Sequence, residues 1–239
     1  MSERGAKLAI SYGYVPCKLG LCGPEDKKKK KIIDQFLNGN SKLKKEIEKI
    51  LKEFKGAYPY YKLIACSNGI SDPLNLKVVE AYWIGNSLLK KVTVAEFSKM
   101  MEKEFLPLGK MPREKIDKLP KKAIPYHSFH VLFIGSVTGR FKESKKGLDL
   151  CRVSWGKIQK IGEDDIAVLR QPLNFGKKIS LGKPELKEIN WNKKILPKIK
   201  IGEWVSIHWG TAIEKLDTNK LKNIKKYTLE VFKAQTVRE

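Results

Sequence analysis

Two prolines, Pro120 and Pro125, divide the chain at the segment LPKKAIPY into parts with different hydrophobic patterns. Before this segment, apolar residues recur at the spacing of one helix face, as at Ile47, Ile50, Leu51 and Phe54. After it, the apolar runs are short and are separated by turns rich in Gly, Asp and Lys. We therefore predict an α+β protein with a mainly helical domain over residues 1–118 and a small β-barrel over residues 119–239.

The helical part contains two helix starts and one segment that argues against a helix. SDPLNLKVVEAYWIGNSLL begins with capping residues and an early proline, and Thr93 with Glu96 has the spacing of a capping box. Residues 1–24 are punctuated by Gly13, Pro16 and the run GLCGP. We predict a loop there, without a long helix.

The barrel part is predicted from five β-rich runs, FHVLFIGSV, LCRVSWGKIQKI, DIAVLRQPL, KKISLG and EWVSIHWG. Short strands at this spacing are typical of a small closed, OB-like barrel. A C-terminal helix is expected over residues 217–233, with Asp217 or Thr218 as its cap. Its packing residues are predicted to be Leu221, Ile224, Leu229 and Phe232.

The chain is strongly basic, with a net charge of +23 from 49 Lys and Arg against 26 Asp and Glu. The excess is mostly lysine and is spread over nearly every segment, which favours solvated faces over one binding groove. Such faces would steer the protein toward acidic partners. A basic RNA-binding barrel stays open as an alternative.

No apolar run approaches the roughly 18 residues that a membrane span requires. The N-terminus also lacks the long apolar core of a signal peptide. We expect a cytoplasmic protein with no membrane partner. Walker, GxGxxG and Ser-His-Asp patterns are absent from the sequence, which therefore offers no nucleotide site and no serine triad.

The four cysteines include no CxxC pair, so a strong zinc signal is missing. In a cytosolic chain they are expected to be thiols or metal ligands rather than a disulfide framework. Cys17 and Cys22 lie five residues apart in PCKLGLCGP, where they can share a metal or a transient disulfide. Cys22 is the preferred member because GLCGP is the tighter turn.

The histidines all lie in the second half of the chain. His127 and His130 fall in a predicted strand, where residues three apart face opposite sides, so joint ligation needs a bend. His208 lies in the apolar run SIHWG and is either a metal ligand or a core histidine bonded to a carbonyl. The concentration of all three histidines in this half of the chain favours a metal site.

Glu80 is the one carboxylate in an apolar, aromatic run, VVEAYW. A buried carboxylate of this kind is either an acid or base in catalysis or part of a structural hydrogen-bond network. Together with Cys22 and the histidines, it supports a second interpretation, a metal- or thiol-dependent enzyme with its site between the two domains.

The C-terminal third resembles a known family of small chaperones. CRVSWGKIQKIGEDDIAVL, a gap and IKIGEWVSIHWGTAIEKLD follow one another over roughly residues 150–233. This succession resembles the HypC/HupF family of hydrogenase assembly chaperones. The matching positions are Cys151, Gly156, Lys157, Ile158, Gly202, Glu203, Trp204, Val205, His208, Gly210, Ala212, Ile213 and Asp217.

The resemblance implies a role in nickel–iron hydrogenase maturation, as a scaffold or carrier of an iron centre with CO and cyanide ligands. It implies Cys151 as the thiolate ligand and His208 as a ligand or hydrogen-bonding neighbour. We predict that these two residues and either His127 or His130 converge on one iron ion. Its partners would be the hydrogenase large subunit or other maturation proteins. The chain departs from the family because Cys151 is internal, whereas the chaperones carry their cysteine at the processed N-terminus.

The whole chain also resembles an uncharacterised prokaryotic family. The motifs that carry this likeness are SYGYVPCKLGLCGP, NGISDPLNLKVVEAYWIGNSLL and HSFHV. The likeness implies that the helical part and the barrel evolved as one unit, and it implies no mechanism.

Overall fold

The computed structural model of the chain describes residues 2–235. The helices in the described part are α1 Glu3–Lys18, α2 Lys27–Leu37, α3 Lys44–Leu51, α4 Tyr58–Ser67, α5 Leu76–Trp83, α6 Val94–Glu104, α7 Glu114–Asp117, α8 His127–Phe129, α9 Lys145–Cys151 and α10 Thr218–Gln235. The strands are β1 Ser154–Ile161, β2 Asp165–Arg170, β3 Leu173–Phe175, β4 Ile179–Leu181, β5 Glu185–Asn190, β6 Trp204–His208 and β7 Thr211–Lys215. Short 3₁₀ turns lie at Ser41–Leu43, Ser87–Lys91 and Leu106–Leu108.

The N-terminal segment forms a long helix, so the loop predicted for residues 1–24 is wrong over α1. Its glycines allow close packing rather than breaking the helix. A Cβ on Gly13 would lie 2.6 Å from Cε1 of Phe54, so only glycine lets that ring reach the helix. Pro16 lies near the C-terminal end, where the lost backbone bond disturbs little of the helix.

One predicted helix start is displaced: α5 begins at Leu76 and is capped by Asn75, so Ser71, Asp72 and Pro73 lie before the helix. The other helical predictions are confirmed. Ile47, Ile50, Leu51 and Phe54 are all buried. The hydroxyl of Thr93 accepts a bond from the Glu96 backbone, and the Glu96 carboxylate accepts one from the Thr93 backbone, which completes the capping box of α6. No helix among residues 2–235 has the length and apolar character that a membrane crossing requires.

The run HSFHVLFIG forms a helical segment, so the strand predicted there is wrong. Helix α8 continues as a π-helical turn over His130–Ile134. The run is nearly continuous in apolar residues, and periodicity alone does not separate a buried strand from a buried helix. Helical structure therefore continues to Cys151, and the strands begin at Ser154.

Five strands form a curled sheet in the order β1-β2-β5-β7-β6, and β6 pairs back onto β1. The parallel contact between β5 and β7 is a single pair, Asn190 with Thr211, so the barrel is only weakly closed on that side. A partly open five-stranded barrel is the architecture of OB-folds. Strand β5 was not predicted from the sequence because only one of its residues, Ile189, is buried, so the segment lacks the alternating apolar pattern of a strand.

The barrel and the helices share a hydrophobic core. The barrel interior holds a small cluster around Ile158, Val168 and Val205. The larger core runs from the N-terminal helices to Trp155, Ile213 and α10. In α10 the predicted packing of Ile224 and Phe232 is confirmed and Leu221 is partly buried, whereas Leu229 is exposed. Asp217 accepts a bond from the Lys220 backbone and serves as the predicted cap.

A buried ion network fixes the junction between α9 and the barrel. Arg152, which directly follows Cys151, is fully buried, and its Nε donates to Oδ1 of Asp149 at 3.3 Å. Its Nη2 donates to the Gln171 carbonyl at 2.6 Å. Asp149 also accepts from Arg170 at 2.6 Å and from the backbone of Leu173 at 2.8 Å. The Asp149 carboxylate therefore binds both Arg152 and Arg170 as well as the first residue of β3.

Replacing Asp149 should destabilise the protein strongly. Asp149→Ala leaves the buried charge of Arg152 without its counter-ion, and we expect a loss of about 3–5 kcal/mol in the free energy of unfolding. Urea denaturation measures this loss. Asp164→Ala is the control because Asp164 forms an exposed ion pair with Lys193, and it should change stability by less than about 1 kcal/mol. Equal effects of the two changes would contradict this account.

Candidate metal centre

Three potential metal ligands meet where the helices cover the barrel. His127 begins α8, Cys151 ends α9 and His208 ends β6. One ligand atom from each lies within 4.8 Å of the other two. This is the one group of three or more such residues found within residues 2–235. The predicted meeting of Cys151, His208 and a third histidine is therefore present in the geometry, and the third member is His127.

His208 faces the helices rather than the barrel interior. Side chains alternate along a strand, so Val205 and Ile207 fill the barrel while Ser206 and His208 lie on the opposite face. That face is buried because α1 packs against it: the hydroxyls of Tyr12 and Ser206 are hydrogen-bonded at 2.8 Å. The expected contact between His208 and Cys151 thus lies outside the barrel, at its junction with the helices.

The tautomer of His208 is set by a backbone carbonyl. Its Nδ1 lies 2.8 Å from the Tyr12 carbonyl oxygen, which accepts only, so Nδ1 carries the proton and donates. Its Nε2 is buried and makes no full hydrogen bond within residues 2–235, although the Cys151 carbonyl lies near the ring and acts to raise its pKa. Burial lowers the pKa of His208 to about 4, so the ring is neutral at pH 7. A neutral, unpartnered Nε2 is the form in which imidazole ligates metals.

Pro16 explains why the Tyr12 carbonyl is free. In an α-helix the carbonyl of residue 12 accepts from the N–H of residue 16. Residue 16 of α1 is proline, which has no N–H. The Tyr12 carbonyl therefore lacks its usual donor within the helix, and the Nδ1–H of His208 takes that place.

His127 is also held as a neutral ring. Its Nε2 lies 2.9 Å from the Cys151 carbonyl oxygen and must donate to it. Its Nδ1 lies 3.1 Å from the Tyr82 hydroxyl. Burial lowers the pKa of His127 well below its usual value, and His208 and His130 add to that effect. Nδ1 is consequently the nitrogen that keeps a lone pair.

Cys151 supplies the sulfur donor. Burial raises the pKa of its thiol to about 12, so the residue is a protonated thiol without a metal. The nearby indole N–H of Trp209 acts in the opposite direction and lowers that pKa, although it forms no full hydrogen bond. A bound cation would replace the proton, because coordination deprotonates thiols.

A strained turn positions the Trp209 indole. Trp209 joins β6 to β7 with φ of 50°, the one non-glycine residue with positive φ among those described, and Gly210 follows with φ of 65°. Two positive φ values are what a tight type I′ hairpin turn requires. A non-glycine residue in this region costs about 1 kcal/mol. The Trp209 backbone N–H donates to the Leu150 carbonyl at 2.8 Å, which ties the turn to Cys151.

A cavity of about 80 Å³ adjoins the three ligands. His127, Cys151 and His208 line it together with Trp209 and Cys22. Most of the remaining wall is apolar and includes Leu21, Phe54, Val131, Val137 and Phe141. Cys22 reaches it because the backbone N–H groups of Leu21 and Cys22 both point at the Pro16 carbonyl, at 2.9 and 3.4 Å.

Three other predicted site residues lie outside the group. His130 lines the cavity, but its Nδ1 bonds the Tyr60 hydroxyl at 2.9 Å. Cys17 is buried, and its thiol donates to the Pro24 carbonyl at 3.5 Å, so it does not pair with Cys22. Glu80 lies beside Lys220 at 3.4 Å, in a network that includes Glu214. That network matches the structural alternative considered for Glu80.

Four residues of the centre were missed in the sequence analysis: Tyr12, Pro16, Tyr82 and Trp209. The dipeptide WG between two alternating runs, SIH and TAIEK, was a detectable signal for a two-residue turn. The other three act through a backbone carbonyl, a missing N–H and a hydroxyl. Their roles depend on contacts with distant parts of the chain.

The fold and the site define a protein in which helices and a small barrel enclose a buried His-Cys-His group suited to a metal ion. A family model described as "Family of unknown function (DUF6390)" matches residues 1–239, and the chain belongs to that family. The whole-chain resemblance to an uncharacterised family is thereby confirmed, whereas the HypC/HupF resemblance gains no support. No curated protein and no solved structure matches the chain.

Pro16→Ala should separate the positioning of His208 from stability. The new N–H of residue 16 competes for the Tyr12 carbonyl, so we expect loss of the pure Nδ1–H tautomer and about tenfold weaker cobalt binding. The unfolding free energy should not fall, since alanine suits a helix interior better than proline. Nitrogen-15 NMR of the His208 ring and urea denaturation measure the two effects.

The control for this variant is Pro59→Ala, in the first turn of α4, where no intrahelical bond is missing. It should leave the His208 tautomer unchanged. An unchanged tautomer in Pro16→Ala would contradict the role of the freed carbonyl.

Acid should destabilise the metal-free protein before its carboxylates titrate. The pKa values of His208 and His130 are lowered to about 4 and about 3, and that of His127 is also lowered. The unfolded chain, with histidine pKa near 6.5, therefore binds protons first as the pH falls. The free energy of unfolding is highest above pH 6.5. Below that pH, each of these histidines lowers it by up to about 1.4 kcal/mol per pH unit.

Urea denaturation at pH 7 and pH 5.5 tests this dependence. His130→Gln should reduce the difference between the two pH values, because one of the three buried rings no longer titrates. Equal stability of the wild-type protein at both pH values would refute the prediction.

Proposed function

We propose that this protein binds one transition-metal ion through His127, Cys151 and His208, and that the bound ion is its functional centre. The observation that carries the proposal is the buried Nε2 of His208, which makes no full hydrogen bond within residues 2–235. It belongs to a residue that has a ligand atom within 4.8 Å of those of His127 and Cys151. A buried polar atom without a partner costs free energy, and a metal ion removes that cost.

The donor set favours a borderline or soft cation. Two neutral imidazoles and one thiolate suit Fe²⁺, Co²⁺, Zn²⁺ or copper, whereas Ca²⁺ and Mg²⁺ require oxygen ligands. Asp and Glu are absent from the cavity wall. Three protein ligands beside an open cavity also leave a coordination position for another molecule, as in catalytic rather than structural metal sites.

The more specific proposal is that the metal is iron in transit to a nickel–iron hydrogenase. It rests on the resemblance of residues 150–233 to the HypC/HupF chaperones and on the position of Cys151 and His208 in one group. In this role the protein is a scaffold or carrier for iron with CO and cyanide ligands. Its partners are the hydrogenase large subunit or other maturation proteins, approached through the lysine-rich surface.

An enzyme at the same site is the second candidate. Cys22 lines the cavity without belonging to the three-residue group. A thiol beside an open metal position is suited to attack a molecule bound there. Turnover that is lost in Cys22→Ser while metal binding persists would favour the enzyme over the carrier.

Metal analysis of the full chain purified without oxygen tests the proposal. We expect about one equivalent of bound metal and a thiolate-to-metal charge-transfer band on loading with Co²⁺. Cys151→Ser should abolish the band, and His208→Gln should weaken cobalt binding by at least about tenfold. Cys66→Ser is the matched control because Cys66 is exposed and lies outside the cavity wall.

Two results would count against the proposal. Failure of the wild-type protein to retain cobalt, zinc or iron refutes the metal centre. Retention of a metal without infrared bands of bound CO or cyanide, in protein from cells that produce hydrogenase, refutes the carrier role and leaves the metal centre in place.

A further inference from the structure

The charge of the proposed centre is not balanced by the protein around it. A divalent ion bound to one thiolate and two neutral imidazoles carries a net charge of +1. The cavity wall in the described part of the chain contains no Asp, Glu, Lys or Arg. An uncompensated charge in an apolar site costs several kcal/mol, so a single negative charge on a fourth ligand would stabilise the centre.

The cavity has room for a small ligand. Its volume of about 80 Å³ is several times the ~10–15 Å³ that one water molecule requires by the same kind of measure. Most of the wall beyond the metal ligands is apolar, which disfavours a chain of water molecules there. A group of two or three atoms fits this space.

One hydrogen-bond donor in the wall lacks a partner. The Nε1–H of Trp209 is buried and makes no full hydrogen bond within residues 2–235, although it lies near the Cys151 thiol, and Trp209 lines the cavity. The indole is held by its edge contact with Phe141, with ring centroids 5.6 Å apart, and by the strained turn at φ of 50°. Strain retained at a cavity of this kind indicates a positioned group.

We infer that the centre binds one exogenous monoanion of two or three atoms in this cavity, with one end on the metal ion and with Trp209 donating a hydrogen bond to the anion. The anion replaces a metal-bound water molecule, so the exchange requires no oxidant or reductant. This inference rests on the proposed metal centre. It differs from that proposal in naming the charge, the size and the hydrogen-bond donor of a fourth ligand.

Azide titration of the cobalt-loaded full chain tests the inference. Azide should shift the d–d bands of Co²⁺, with one azide bound per cobalt at saturation. Trp209→Phe should weaken azide binding about tenfold or more, because a hydrogen bond to a charged group is lost. The matched control is Trp191→Phe, since the Trp191 indole N–H bonds the Leu196 carbonyl at 2.7 Å and lies outside the cavity wall.

The alternatives give different results. Bound cobalt with no spectral response to azide overturns the inference and leaves the metal centre standing, whereas absence of bound cobalt overturns both. Equal azide affinity in Trp209→Phe and wild type shows that the indole N–H serves the Cys151 thiolate instead. If azide affinity falls about tenfold per pH unit above pH 6, hydroxide formed from the metal-bound water competes with azide for the fourth position. Hydroxide is then the fourth ligand, and the inference is overturned.

Azide affinity in Cys22→Ser tests whether a protein thiol already provides the anion. Cys22 lines the cavity, and burial raises the pKa of its thiol. We expect azide affinity in this variant to equal that of the wild type. A gain of tenfold or more would show that the Cys22 thiolate competes for the fourth position and would overturn an exogenous anion.

Discussion

The bond from Nδ1–H of His208 to the Tyr12 carbonyl joins the first helix to the barrel and sets the chemistry of the site. It spans 196 positions of sequence and is buried. Pro16 makes it available, because proline leaves that carbonyl without its helical donor. Tyr12 strengthens the same junction through its ring, which stacks on Trp83 at 4.6 Å, and through its hydroxyl, which donates to Glu214 at 2.7 Å.

The other ligands are held by equally specific contacts from separate elements. Asp149 and Arg152 fix the end of α9 that carries Cys151. The Cys151 carbonyl in turn accepts from His127 and sets that tautomer. Each ligand thus has a neighbour that determines its orientation, which is the arrangement by which proteins tune metal ligands. The helices and the barrel share one core, so the site at their junction is rigid rather than a cleft between loose domains.

The sequence analysis predicted the α+β class and named all three residues of the proposed centre. It placed the change from helices to strands at residues 119–126, whereas the first strand begins at Ser154. Cys151 and His208 were paired through the resemblance of residues 150–233 to the HypC/HupF chaperones, and His127 was one of two candidates for the third position. The N-terminal helix and the helical form of HSFHVLFIG were missed. Glycine and proline in the N-terminal segment are compatible with a loop or with a closely packed helix, and the apolar run HSFHVLFIG is compatible with a strand or a buried helix. Packing against Phe54 and the other helices selects the helix.

The sequence by itself determined the class of the fold, the caps of α6 and α10, and the supply of four thiols and three imidazoles. These follow from periodicity and side-chain chemistry, which are local properties. The tertiary structure alone decided which imidazoles meet the thiol, which nitrogen carries a lone pair and where the cavity opens. Those outcomes depend on contacts between residues far apart in sequence, such as Tyr12 with His208. The order of residues along the chain does not specify the spatial distance between two such residues.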